Sequence, residues 1–183
     1  MPVKKAKEWL KVVAPKFFEE KVIGKFLVSE EKHAIGRRVI VNALELTNNS
    51  SKYYLNFFFR IVKVEKDTAY TEFDGFECTR DYISRMVLHR VKRIDVVQDI
   101  LTKDGVKLRV KSLIVAQKGI GEKSRKMMKK RASEMVSEFV QNSSIEDFLR
   151  KTMTDEAKNR ISQELRRIYP LRYFEIRKVE VLR

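Results

Sequence analysis

Three sets of residues carry types that could do chemistry. Asp95 and Asp99 could hold a metal ion with a third acid, as a nuclease does. Cys78 sits just ahead of an expected helix start, where a thiolate is mildly favoured. Lys118-Gly119-Ile120-Gly121-Glu122-Lys123-Ser124 lies between an expected strand and helix, where a phosphate-binding loop would lie. None makes a constellation. Asp95 and Asp99 have the spacing of two outward positions on a strand, and no third acid accompanies them. Cys78 has no partner pattern, and a small buried apolar residue is the simpler reading. In the glycine loop Glu122 separates Gly121 from Lys123 and the upstream glycine is missing, so the nucleotide-binding pattern fails. His33 and His89 have no metal-site spacing, and one cysteine permits neither an internal disulfide nor a cysteine-built zinc site. No cofactor and no metal are expected, and the chain does not read as an enzyme.

What the sequence does concentrate is positive charge. Phe76 to Arg131 contains 16 Lys and Arg against 6 Asp and Glu, a net +10 of the chain's +15. Charge gathered in this way is the footprint of a polyanion-binding surface. Its members are Arg80, Arg85, Arg90, Lys92 and Arg93 on and after a helix, then Lys107, Arg109 and Lys111 on a strand. Lys118 follows in the loop, and Lys123, Arg125, Lys126, Lys129, Lys130 and Arg131 open a second helix. Lys4, Lys5 and Lys7 add an N-terminal cluster. Cations at a helix start oppose the helix dipole, so stability alone does not place them there, whereas a helix N-terminus plus Lys and Arg is an anion site. Lys107, Arg109 and Lys111 repeat at about 6.8 Å per step on one strand face, close to the phosphate spacing of a nucleic-acid strand. The competing reading of both groups is a solvated charged surface.

The elements that position these residues follow from periodicity. Residues 37–46 read as a strand and Asn48 to Ser51 as a turn. Tyr53, Leu55, Phe57, Phe59 and Ile61 alternate along a strand over 52–64, whose aromatics suit a core better than base stacking. A further strand covers 69–73 after a turn at Lys66-Asp67. Thr79, as a cap, opens a helix running to His89. Strands 94–102 and 106–116 form a hairpin around Lys103-Asp104-Gly105, since Asp-Gly is a strong turn signal. Helices follow from Glu122 to Gln141, after a Ser143/Glu146 capping box, and from Thr154 to Pro170; residues 171–181 close as a strand.

The expected class is α+β: a basic domain of mixed strands and helices with an extended N-terminal segment. Residues 1–30 are expected as that basic and apolar segment, packed on its own core or docked on a partner, and 31–183 as a single RNA-binding domain. No apolar run reaches the roughly 20 residues that span a bilayer, and the N-terminus lacks a secretory apolar core, so an intracellular protein without a membrane partner is expected.

Taken together, several short motifs resemble the small-subunit ribosomal protein family shared by archaea and eukaryotes, called S-three-Ae or eS-one. They are Trp9 with Ala14-Pro15, Ile23-Gly24-Lys25, Gly36-Arg37, Phe73-x-Gly75, Thr79-Arg80-Asp81, Thr102-Lys103-Asp104-Gly105, Leu108-Arg109, Ile168-Tyr169-Pro170-Leu171 and Arg177-Lys178. Their order and spacing carry the likeness, nearly end to end. Cys78 departs from the leucine usual before Thr-Arg-Asp, and the longer eukaryotic C-terminal tail is absent, which points to an archaeal member. The resemblance implies an rRNA-binding structural constituent of the small subunit, cytoplasmic, on the platform near the mRNA exit, and a fold built on a β-barrel-like mixed or antiparallel sheet with flanking helices. Its implied partners are rRNA, neighbouring ribosomal proteins and mRNA near the exit. The alternatives are a free RNA-binding regulator or chaperone, and the nuclease that Asp95 and Asp99 would require.

Overall fold

The computed structural model describes residues 8–183. The chain divides into two compact units, residues 1–76 and 77–183, with the boundary inside one strand. Among the described residues are eight strands and five α-helices, so the class is α+β, and no helix is long and apolar enough to cross a membrane.

The first unit is built on β1 (Glu8–Val13), β2 (Val22–Val28), β3 (Arg38–Asn42), β4 (Leu55–Glu65) and β5 (Thr68–Cys78). Its strand order is β2-β1-β5-β4-β3. β1 runs parallel to the start of β5, and the β1/β2 and β3/β4 pairs are antiparallel, so the sheet is mixed. β2 and β3 stand at its two ends and do not pair, so the barrel-like sheet stops short of closure. The N-terminal run is part of this core. Leu10, Val12 and Phe18 are buried, and Phe18 meets Phe57 and Phe59 edge-on at 5.5 and 5.6 Å. The aromatic alternation of β4 is core, as its pattern indicates: Phe57 and Phe59 are buried, and Phe58 is buried beneath the Arg38 guanidinium at 5.2 Å.

One strand expectation fails locally. Residues 37–46 are not all extended, because the Asn42 side chain accepts a hydrogen bond from the Leu44 amide at 2.9 Å and caps α1 (Ala43–Thr47). Side-chain capping of this kind diverts a strand into a helix. Asn48 closes α1 in the left-handed conformation, at the expected turn.

The second unit comprises α2 (Arg80–Met86), β6 (Lys92–Leu101), β7 (Lys107–Ala116), α3 (Glu122–Gln141), α4 (Ile145–Met153), α5 (Glu156–Ile168) and β8 (Leu171–Leu182). β6 and β7 form the expected hairpin, with Leu101 opposite Lys107 and Gly105 at φ 78° in the turn. β8 adds antiparallel to β7. The apolar stripe of α3 buries Met128, Ala132, Val136 and Val140, matching its period. Two caps differ from expectation. Thr79 precedes α2 but makes no side-chain cap bond, and the helix stops at Met86 rather than His89. Ser144, not Ser143, caps α4 by accepting from the Asp147 amide at 3.2 Å. Ser143 is buried instead, where its carbonyl accepts from the Lys103 amide.

Candidate nucleic-acid interface

The cations lie on three sets of elements in the second unit. The first is α2 with the residues after it. Arg80, Arg85, Arg90 and Lys92 are all exposed, and among the described residues none has a carboxylate within 4.0 Å. Arg93 differs: its Nε and Nη2 each donate to Asp95 at 2.9 Å, and that hydrogen bond holds the guanidinium pKa above its ordinary value.

The second group is the outer face of β7. Alternation buries Leu108 and Val110 and turns Lys107, Arg109 and Lys111 outward, as the sequence pattern requires. The neighbouring strands then interleave acids between them. Asp99 on β6 and Glu180 on β8 both stand opposite Arg109. Arg109 donates from Nε to Asp99 Oδ1 at 2.7 Å and from Nη2 to Oδ2 at 2.8 Å, a two-pronged pair. Lys111 Nζ lies 2.7 Å from Glu180, and Lys178 bridges Glu180 and Glu77 at 3.1 Å each. The hydrogen bond from Arg109 lowers the pKa of Asp99. For Glu180, burial pushes upward, but hydrogen bonds and charge from Lys111 and Lys178 outweigh it, and its pKa too is lowered. Lys107, opposite Leu101 and Leu182, has no carboxylate within 4.0 Å among the described residues. Two of the three teeth are therefore neutralised at close range.

The third group is the glycine loop and the start of α3. Gly119 adopts φ 89°, and the loop is held where Tyr169 Oη donates to the Lys118 carbonyl at 3.1 Å. Gly121 is the N-cap and offers no side-chain acceptor, so the first amides of the helix carry no cap. Lys123, Arg125 and Lys129 are exposed, with no carboxylate within 4.0 Å among the described residues. Lys126 and Lys130 reach only long, exposed contacts to Glu122 and Glu134, at 3.8 and 4.0 Å, which are weak interactions. Arg131 lies between Glu134 and Glu164, at 3.6 and 3.7 Å. An uncapped helix start ringed by loosely held cations can accept phosphate oxygens on its amides and its side chains at once. Lys4, Lys5 and Lys7 lie outside the described residues.

The two aspartates and the thiol considered for other chemistry are engaged within the fold. Asp95 is shared by Arg93 and Arg177, and Asp99 is held by Arg109. Among the described residues no group of three or more His, Cys, Asp or Glu could hold a metal ion. Cys78 is buried, its thiol 3.6 Å from the Ile176 carbonyl.

A family model described as the ribosomal S3Ae family matches residues 3–183. The chain belongs to that family. It is 32% identical over 179 residues to the small ribosomal subunit protein eS1 of Sulfurisphaera tokodaii, a match covering 98% of this chain and 93% of that protein. The proteins of the same name from Saccharolobus islandicus and Saccharolobus solfataricus are also 32% identical over 179 residues, with 98% of this chain and 86% of each relative covered. These relatives are archaeal, as the resemblance implied.

Several residues that carried the S3Ae resemblance hold the fold together. Asp104 accepts from the Ile145 amide at 2.8 Å and so ties the β6/β7 turn to α4. Gly36, at φ 84°, donates to the Ile61 carbonyl at 2.8 Å. Pro170 accepts from the Gln117 amide at 3.2 Å. Arg177 and Lys178 are spent on acids of their own unit. Arg80, from Thr79-Arg80-Asp81, is exposed and has no carboxylate within 4.0 Å among the described residues, as is also true of Lys25 and Arg37. The neutralising acids Asp99, Glu180 and Glu77 are what the sequence reading missed. Asp99 was within reach, since the hairpin register around Asp104-Gly105 puts it opposite Arg109.

Proposed function

We propose that this chain is a structural constituent of the small ribosomal subunit that docks on rRNA by phosphate neutralisation and has no catalytic role. It works in the cytoplasm as part of the ribosome and contributes to translation. Its position is the platform near the mRNA exit, with neighbouring ribosomal proteins as further partners and mRNA passing close by. The observation that carries the reading is the uncapped, cation-ringed start of α3 in a chain that belongs to the S3Ae family over nearly its whole length. Binding of this kind releases counterions from the nucleic acid and is therefore strongly salt-dependent.

The phosphate contacts fall first to Lys118, Lys123, Arg125 and Lys129, with Lys126 and Lys130 beside them. Arg80, Arg85, Arg90 and Lys92 form a second group. Arg109, Lys111, Arg93 and Arg131 contribute less, because each must first leave a carboxylate; Lys107 stands free among them. The test is sedimentation of a native lysate on a sucrose gradient. Co-migration with the small subunit at moderate salt, lost only at high salt, is expected. Migration as a free small protein overturns the ribosomal assignment and favours an RNA-binding regulator or chaperone off the ribosome.

A further inference from the structure

The first unit contains a cleft that rRNA docking by the second unit leaves unexplained. Its volume is about 350 Å³, and Val12, Phe26, Val39 and Ile61 supply its apolar walls. It lies between residues 24–26 of β2 and 37–40 at β3, the two strands that end the sheet and pair with each other nowhere. A strand with one unpaired side presents a row of open amides and carbonyls, which proteins usually blunt with proline, a charge or a bulge. Each of these edges carries a charge, Lys25 on β2 and Arg38 on β3, but neither strand contains proline, and Val22, Leu27 and Ile40 are exposed on them, Ile40 to 62%. Gly24 stands in the middle of β2, opposite Val12, and a Cβ added there would meet nothing within 4 Å. A glycine inside a strand marks a place where another backbone can come close.

The charge around the cleft selects the visitor. Lys25 and Arg37 line it, both exposed, and among the described residues neither has a carboxylate within 4.0 Å. The Arg37 guanidinium lies 5.7 Å from the centre of the Phe26 ring, which holds the cation at the cleft. Arg38, also on the lining, is committed to the buried Asp74. Open main-chain groups beside apolar walls suit an extended polypeptide, whose backbone pairs with the edge while alternate side chains fill the pocket. A nucleic-acid strand has no amide ladder to offer such an edge.

We infer that the cleft between β2 and β3 receives an extended segment of another polypeptide. The segment adds as a strand along the free edge of β2, places an apolar side chain in the space over Gly24, and faces Lys25 and Arg37 with a carboxylate. In naming a neighbouring protein of the small subunit as its source, the inference rests on the ribosomal reading above.

The experiment replaces Ile40 with photoreactive benzoylphenylalanine in the full chain, irradiates native particles and identifies the adduct by mass spectrometry. The expected adduct is a stretch of another ribosomal protein without helix-forming periodicity, carrying Asp or Glu close to the attachment point. Its yield should fall about tenfold in Gly24→Leu and in the Lys25→Glu/Arg37→Glu double variant, the loss expected when one anchoring contact is removed. Circular dichroism unchanged from the parent is the check that both variants fold. An adduct to a nucleotide, to a second copy of this chain or to a basic segment overturns the inference. So does the absence of an adduct, or a yield that Gly24→Leu leaves unchanged. Failure of the parent chain to sediment with small subunits counts against the ribosomal reading alone; the same cross-link is then read in whichever fraction holds the protein.

Discussion

At the scale of single residues, the pairings of acids with bases decide what each cation is free to do. Arg109 and Asp99 lock in a two-pronged pair, and Glu180 is bound by Lys111 and Lys178. Both carboxylates have lowered pKa values in the folded chain. The stability they contribute is therefore present above the ordinary carboxylate value of about 4 and is lost as the pH falls through the lower folded values. Melting temperatures measured from neutral pH downward should drop below pH of about 4, and the Asp99→Asn/Glu180→Gln variant should show a shallower acid limb. The same Asp99→Asn change releases Arg109, so affinity for an rRNA fragment should rise at low salt; a fall would mean that the pair itself is the recognised feature. In the first unit, Asp74 is buried and serves both Arg38 and Arg60. Asp74→Ala should cost about 2 kcal/mol in urea unfolding, less than a fully buried pair because both guanidiniums reach water.

Elements distribute the cations differently from their order in the sequence. The start of α3 keeps its charges because a helix surface points them outward in all directions away from its buried stripe, and few acids stand within reach. The face of β7 loses most of its charge because strands on both sides bring acids into register. Changing Lys123, Arg125 and Lys129 together to Ala should therefore flatten the slope of log K against log salt by about 2–3, at roughly 0.7–0.9 per lost phosphate contact. The same change at Lys107, Arg109 and Lys111 should flatten it by only about 1; equal slopes would restore the strand face as a main contact. β1 is likewise defined by packing. Leu10, Val12, Val13, Ala14 and Phe18 are buried, and each large apolar side chain contributes about 1.5–3 kcal/mol. Removing the chain up to Phe18 should unfold the first unit, seen as loss of its thermal transition, since the sum rivals a typical domain stability of 5–15 kcal/mol.

For the whole molecule, a net charge of +15 makes attachment to an rRNA-rich particle a matter of ionic strength. Washing small subunits with increasing salt should release the parent chain at a higher concentration than the Lys123/Arg125/Lys129 variant. Equal release would mean that protein neighbours, not phosphate contacts, hold it in place.

The sequence by itself determined the α+β class, the β6/β7 hairpin, the core role of the β4 aromatics, the span of α3 and the family. These depend on local signals: period-two and period-3.6 burial, an Asp-Gly turn, and motif order along the chain. Only tertiary structure decided which cations stay free. Asp99 faces Arg109 through a hairpin register that could be drawn from the turn, but Glu180 arrives from a strand 71 positions further along the chain, and no local pattern announces it. The same holds for Asn42, whose side chain captures an amide and turns an expected strand into α1, and for the cleft beside Gly24, which exists because β2 and β3 end the sheet without meeting. Hydrophobic period records which way a side chain points. Charge neutralisation and the open edge depend on which strand comes to lie alongside, and that is set by the packing of the whole sheet.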